Sequence, residues 1–300
     1  MRTKTYLFAL MAMALTLGSC SDNENGIGGE TSKYITVSTS IGNMTRVATD
    51  ANGGQTFEEG DEISVYAWTG APTVAPETSE RVVNNAINKL TNGTWVATPQ
   101  MLWKNNREKH YFIGVYPTAA ISDLSAGEYT FDANKQTESD LLVAVNPDGL
   151  SYSADAQQTV PLTFTHVMAK LAVNLTYKNQ WGGIPTVEKV VVGNAAKEAT
   201  INYLTKVVTP STTAKEDFSL PEITENTKYV SVIIPQEDVK QLTIVIGGKN
   251  FVYDNGTPFK LESGKITTVN LEVGRDEIKL GDVKITNWED GSTFSGEALN

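Results

Sequence analysis

Residues 34–41 read Tyr34-Ile35-Thr36-Val37-Ser38-Thr39-Ser40-Ile41. Side chains of an extended chain alternate between two faces, so Ile35, Val37, Thr39 and Ile41 share one side while Thr36, Ser38 and Ser40 share the other. This is a strand with one buried face. The same period of two recurs at Ile63-Ser64-Val65-Tyr66-Ala67-Trp68, and strands are expected at 95–97, 110–116, 129–131, 141–145, 162–175, 187–192, 229–234, 242–246, 251–253, 265–273 and 282–288. Turn clusters such as Asn146-Pro147-Asp148-Gly149 separate them, and Asp254-Asn255-Gly256 reads as a hairpin turn. A single short helix is expected over RVVNNAINKL, residues 81–90. Many short strands with regular turns predict an all-β chain built of β-sandwich domains.

Ahead of the first strand lies a targeting segment. Arg2 and Lys4 are followed by the uncharged run YLFALMAMALTL at residues 6–17. Those residues as a helix would span roughly 18 Å, short of the ~30 Å hydrocarbon core, so a transmembrane anchor is not expected. Leu17-Gly18-Ser19-Cys20 looks like a lipobox, which predicts a lipoprotein signal peptide at 1–19 and a lipidated Cys20. More than one acyl chain, at ~0.8 kcal/mol per buried CH₂, makes a firm anchor in outer-membrane lipid. The following SDNENGIGGE is polar and acidic, the composition of a flexible tether over 20–32. With Asp22 and Glu24 near its start, the tether resembles the signal by which Bacteroidetes send lipoproteins to the outer face of the outer membrane.

Charge narrows the function classes. The chain has 24 basic and 35 acidic residues, and without residues 1–19 it keeps 22 basic residues against 35 acidic, a formal charge of −13. Such a surface repels polyphosphate and disfavours nucleic acid as a partner. Cys20 is the one cysteine, so disulfides and thiol metal sites are not expected. Stability has to come from buried apolar area, and the length beyond the tether suits two domains; composition, together with the family resemblance given below, divides them at 33–160 and 161–300.

Catalytic chemistry is not written in the sequence. His110 and His166 are far apart and both sit in strand patterns, where a hydrogen-bonded structural role is expected. The chain contains no His-Glu-x-x-His, Cys-x-x-Cys or Gly-x-Ser-x-Gly. Gly26-Ile27-Gly28-Gly29 falls in the tether and not at a strand–helix junction, and Asp50, Glu58, Glu59 and Asp61 miss the EF-hand spacing. Carboxylate pairs for glycoside hydrolysis stay open, because their spacing is spatial. Trp68, Trp95, Trp103, Trp181 and Trp288 could stack on glycans, but in a β-sandwich they are expected in the core. No catalytic residue, metal site or cofactor is assigned.

Several blocks, in order, carry a resemblance. They are Met44-Thr45-Arg46-Val47 with Phe57-Glu58-Glu59-Gly60-Asp61-Glu62-Ile63-Ser64-Val65-Tyr66; Trp95 and Trp103 with Tyr111-Phe112-Ile113-Gly114-Val115-Tyr116-Pro117; Leu162-Thr163-Phe164-Thr165-His166-Val167-Met168-Ala169-Lys170-Leu171; and Gly264-Lys265-Ile266-Thr267-Thr268-Val269-Asn270-Leu271 with Ile285-Thr286-Asn287-Trp288-Glu289-Asp290-Gly291. Behind a lipobox, they make the chain similar to the fimbrillin-like, Mfa-type surface lipoproteins of Bacteroidetes.

The resemblance implies two transthyretin-like β-sandwich domains and a fimbrial or adhesive, non-enzymatic role at the outer membrane. It also implies a mechanism of assembly. A trypsin-like protease cuts after a basic residue in the loop following the first strand, here between Arg46 and Val47. The strand bearing Ile35, Val37, Thr39 and Ile41 then leaves, and a strand of another pilus subunit fills the groove. The alternative for Arg46 is an ordinary loop arginine, since anchor, tip and accessory members keep the strand. The stretch from Gly281 to Asn300 alternates too weakly to be read as a donor strand. Host or bacterial surface ligands are possible further partners. The competing function is a monomeric surface lipoprotein that binds glycans.

Overall fold

The computed structural model describes residues 33–42, 56–136, 138–153, 158–254 and 256–288. The expected signal peptide, Cys20 and its tether, and the expected cut at Arg46 and Val47 lie outside the described residues.

The strands are, in chain order, β1 Thr36–Ile41, β2 Glu62–Thr69, β3 Val83–Thr91, β4 Thr94–Thr98, β5 Lys109–Tyr116, β6 Gly127–Thr130, β7 Leu142–Ser151, β8 Thr159–His166, β9 Ala169–Tyr177 and β10 Val187–Ala196. They continue as β11 Glu198–Asn202, β12 Val207–Pro210, β13 Lys215–Leu220, β14 Glu222–Thr224, β15 Lys228–Ile233, β16 Gln241–Ile246, β17 Lys249–Asp254, β18 Lys265–Val273 and β19 Ile278–Asn287. Two single-turn 3₁₀ segments, Thr78–Glu80 and Asn179–Trp181, are the described helical structure. The protein is all-β, as its alternation predicts.

Seven strands form one sheet in the order β1-β8-β7-β5-β2-β3-β4. Its interior strand β2 is buried from Ile63 to Trp68 without a gap, because both faces are covered. Ile63, Val65 and Ala67 join Phe112, Leu142, Ala144 and Phe164 on the inner face, where the sheet curls over Trp95 and Trp103. Tyr66 and Trp68, with Ile113, Val115 and Val143, point the other way into a second core. That core continues between two further sheets, β14-β15-β9-β18-β19 and β13-β10-β16-β17, which pack as a sandwich over Leu171, Val173, Val269 and Leu271 on one side and Val190, Val192, Leu242 and Ile244 on the other. A third small sheet, β12-β11-β6, crosses between the halves of the chain: β6 pairs with β11 from Glu198↔Thr130 to Ile201↔Gly127.

Four expectations need correction. Residues 81–90 form no helix; from Val83 they are β3. Val65↔Ala86 and Ala67↔Val83 leave one extra residue on β3, and Asn85 takes a left-handed φ of 58° there. This bulge shifts the buried positions to 83, 86 and 88, a spacing that imitates a helical stripe. Asn146-Pro147-Asp148-Gly149 lies inside β7 and does not end it. The turn is present, with the Gly149 N–H donating to Asn146 Oδ1 at 2.9 Å, and the ladder resumes at His110↔Leu150. The expected strand 162–175 divides into β8 and β9, which belong to different sheets. No described strand pairs with β17 across Asp254 and Gly256, where a hairpin is expected and where Asn255 lies outside the described residues; the described hairpin joins β16 to β17 at Gly247-Gly248, both at positive φ.

Candidate functional site: the first strand and its groove

β1 lies at the end of the sheet order and runs parallel to β8, in register from Thr36↔Thr159 to Ile41↔Phe164. Its sequence neighbours cannot supply this partner, because a parallel pair requires a long crossover. The chain just before β1 is held on its other side. The Ile35 N–H donates to Met101 O at 3.0 Å and the Trp103 N–H donates to Lys33 O at 3.2 Å. The first strand therefore bridges β8 to the segment that follows β4, and draws the two ends of the sheet together.

The alternation expected of residues 35–41 is present. Ile35 is 1% exposed and Val37 6%, both within the inner core, while Thr39 and Ile41 are half-buried on the same face. On the outer face Thr36 Oγ1 meets Thr159 Oγ1, and Ser40 Oγ meets Thr163 Oγ1, each at 3.2 Å. Burial of Ile35 and Val37 contributes roughly 1.5–3 kcal/mol each, a large share of a net stability of ~5–15 kcal/mol.

Beneath the strand is an aromatic floor. Phe57 packs edge-on against Trp95, Tyr116 and Phe164 at centroid distances of 5.3, 5.4 and 5.1 Å. Gly114 makes room for it, since a Cβ there would come within 2.6 Å of the Phe164 ring. From Ser38 to Ile41 the strand borders a cavity of about 490 Å³ lined also by Phe57, Leu90 and Trp95. Across that gap the indole N–H of Trp95 donates to Thr39 Oγ1 at 3.0 Å.

At the other end of the chain, β19 pairs with β18 at a sheet edge, and Leu280, Val283 and Ile285 are 36–39% exposed although they share the face of Leu271, Val269 and Thr267. A strand is expected from the sequence over 282–288; the structure begins it earlier, at Ile278, where Gly281 and Asp282 interrupt the apolar alternation. Its end is anchored: Trp288 is buried, its N–H donates to Gly264 O at 2.9 Å, and its ring stacks on His166 at 4.1 Å.

The other singled-out residues have structural partners. His166 Nδ1 lies 2.8 Å from Asp140 Oδ1. His110 is fully buried, and burial lowers its pKa; its Nε2 accepts from the Lys104 N–H at 3.1 Å and its Nδ1 faces Glu108 O at 3.2 Å. The carboxylate of Glu59 accepts from the N–H groups of Asn92 and Gly93, and Asp61 accepts from the Glu58 N–H, so these acids cap turns. Asp50 lies outside the described residues. Among the described residues, no three His, Cys, Asp or Glu side chains gather as a metal site. Trp68, Trp95, Trp103 and Trp288 are core residues, while Trp181 is half-buried and donates to Val273 O at 2.9 Å. Sequence reasoning overlooked Arg81, buried under the 119–123 loop, where it donates to Asn84 Oδ1, Ile121 O and Ser122 O and lies over the Tyr66 ring. The buried position of an arginine beside two valines could have signalled it.

The profile of the fimbrillin-like family matches residues 45–288. The chain belongs to the fimbrillin-like family. It is accordingly a fimbrial or adhesion-related protein of the cell surface, structural and not enzymatic, in a family whose members associate with other pilus subunits. Solved structures share the fold of this fimbrillin-like chain. A structure from Bacteroides uniformis named for cell adhesion aligns with a TM-score of 0.62 at 18% identity, covering 80% of this chain and 99% of the other. One from Bacteroides ovatus, named likewise, aligns with a TM-score of 0.62 at 17% identity over 85% and 98%. A fimbrial protein from Bacteroides vulgatus aligns with a TM-score of 0.53 at 13% identity over 85% and 99%. Among curated proteins none matches.

Proposed function

We propose that this fimbrillin-like protein is a pilus subunit that assembles by strand exchange. The precursor is lipidated at Cys20 and displayed on the outer membrane through the 20–32 tether. Cleavage between Arg46 and Val47 frees the segment that carries Ile35, Val37, Thr39 and Ile41. A strand of another subunit then takes its place beside β8. Two folding units, 33–160 and 161–300, stand behind the tether in this reading.

The placement of β1 carries the proposal. It is held by one parallel partner, by two backbone hydrogen bonds near its start and by side chains facing the aromatic floor. A chain that lost it would expose the β8 edge and the inner core together, a state that seeks a new strand. N-terminal sequencing of protein shed from cells tests the cut. The proposal expects chains that begin at Val47; shed chains that all retain residues 33–42 would refute it.

A further inference from the structure

The inward positions of β1 do not make equal demands on the strand that occupies them. Ile35 and Val37 meet aliphatic and aromatic carbon, so any aliphatic side chain of similar size satisfies those places. The outer-face hydroxyls of Thr36 and Ser40 are exposed and can exchange their partners for water. The place held by Thr39 differs. There Trp95 Nε1 donates to the Thr39 hydroxyl at 3.0 Å, and Trp95 itself is only 9% exposed. Its backbone is fixed opposite Leu90 in the β3–β4 ladder and its ring is held edge-on by Phe57 at 5.3 Å. An indole N–H is a donor only and has no alternative role. A strand with valine or leucine at this place would leave the donor facing a methyl group, which costs the desolvation of an unmet N–H.

We infer that Trp95 is a specificity-determining residue of the groove. It selects a strand of a second copy that places a hydrogen-bond acceptor (Ser, Thr, Asn or Asp) two residues after one aliphatic residue and four after another. This inference rests on the strand-exchange reading and adds to it a rule for which strand is admitted. The rule separates strands of the chain itself. β19 satisfies it at a sheet edge, with Val283, Ile285 and Asn287 at the required spacing, whereas β16 places Leu242, Ile244 and Ile246 there and offers no acceptor.

The test uses the full chain with a site-specific protease sequence in place of residues 43–49, cut and then challenged with synthetic peptides. The peptides are residues 33–42 and the same sequence with Thr39→Asn or Thr39→Val. The native and Asn peptides should bind about tenfold or more tightly than the Val peptide. In a Trp95→Phe chain that preference should disappear. Equal binding of the native and Val peptides to the Trp95 chain would overturn the selection rule while leaving strand exchange standing. No binding by any peptide would overturn strand exchange and the rule with it. In the uncut chain, Thr39→Val should lower the denaturation midpoint when Trp95 is present and leave it unchanged when Trp95 is Phe. Equal losses in both backgrounds would also contradict the selection rule.

Discussion

His110 shows how a buried polar residue here is satisfied and not catalytic. Its ring lies edge-on to Trp103 at 5.0 Å, with one nitrogen accepting from a backbone N–H and the other facing a carbonyl. Both contacts suit the neutral ring, and burial lowers the pKa from its ordinary value of 6.5. The unfolded chain therefore takes up a proton before the folded chain does, so stability rises with pH across this window. The His110 contribution is complete above about pH 6.5 and is lost as pH falls toward the depressed folded value. His110→Gln, which can still accept and donate, should flatten that dependence. Urea midpoints at pH 7.5 and pH 5 check this: the wild type should fall further than the variant, and equal drops would contradict the assignment. Arg81 makes a related case. Its guanidinium donates to the Ile121 and Ser122 carbonyls at 2.6 and 2.5 Å, so Arg81→Ala should destabilise by about 1.5–3 kcal/mol, read from denaturant midpoints.

Strands were legible where period two ran unbroken, as in residues 35–41 and 63–68, and illegible where a bulge shifted the phase. β3 shows the difference. Asn85 inserts one residue with φ 58°, and the buried set no longer alternates. Asn tolerates this left-handed region, and Gly more so, whereas a β-branched residue does not. Asn85→Gly should therefore change the melting temperature little, and Asn85→Val should destabilise by about 1–2 kcal/mol. Pairing partners were less legible still. β1 finds β8 across 123 residues, and nothing local at Ile35 encodes a parallel neighbour. What the sequence did show of the site was its apolar face, Ile35, Val37 and Ile41; the role of Thr39 needed the Trp95 ring in place. Within β1 the burial argument makes Ile35→Ala cost about 2–5 kcal/mol, against well under 1 kcal/mol for Ser38→Ala on the exposed face. Chemical denaturation of both variants distinguishes them.

Across the whole molecule, the halves of the chain are joined through the β6–β11 pairing and a continuous core that runs from Tyr66 and Trp68 to Ile244. Gly127 is the tight point of that junction, since a Cβ there would lie 2.5 Å from the Tyr203 ring. Gly127→Val should loosen the junction and split one cooperative unfolding transition into two by calorimetry; a single transition in the variant would place the coupling elsewhere. A two-domain division could be proposed from length, but the β6 crossover could not, because residues 127–130 carry no feature that distinguishes a partner in the second half from one in the first. The same scale holds the assembly question. Strand exchange would link subunits end to end without covalent bonds, and such polymers run as ladders on unheated gels and collapse on boiling. Surface extracts of cells expressing the wild-type chain or Arg46→Ala, run unheated, test this most directly. Strand exchange after cleavage predicts a ladder for the wild type and a single monomer band for Arg46→Ala, and a ladder of equal length from both chains, or a lone monomer band from the wild type, would contradict it.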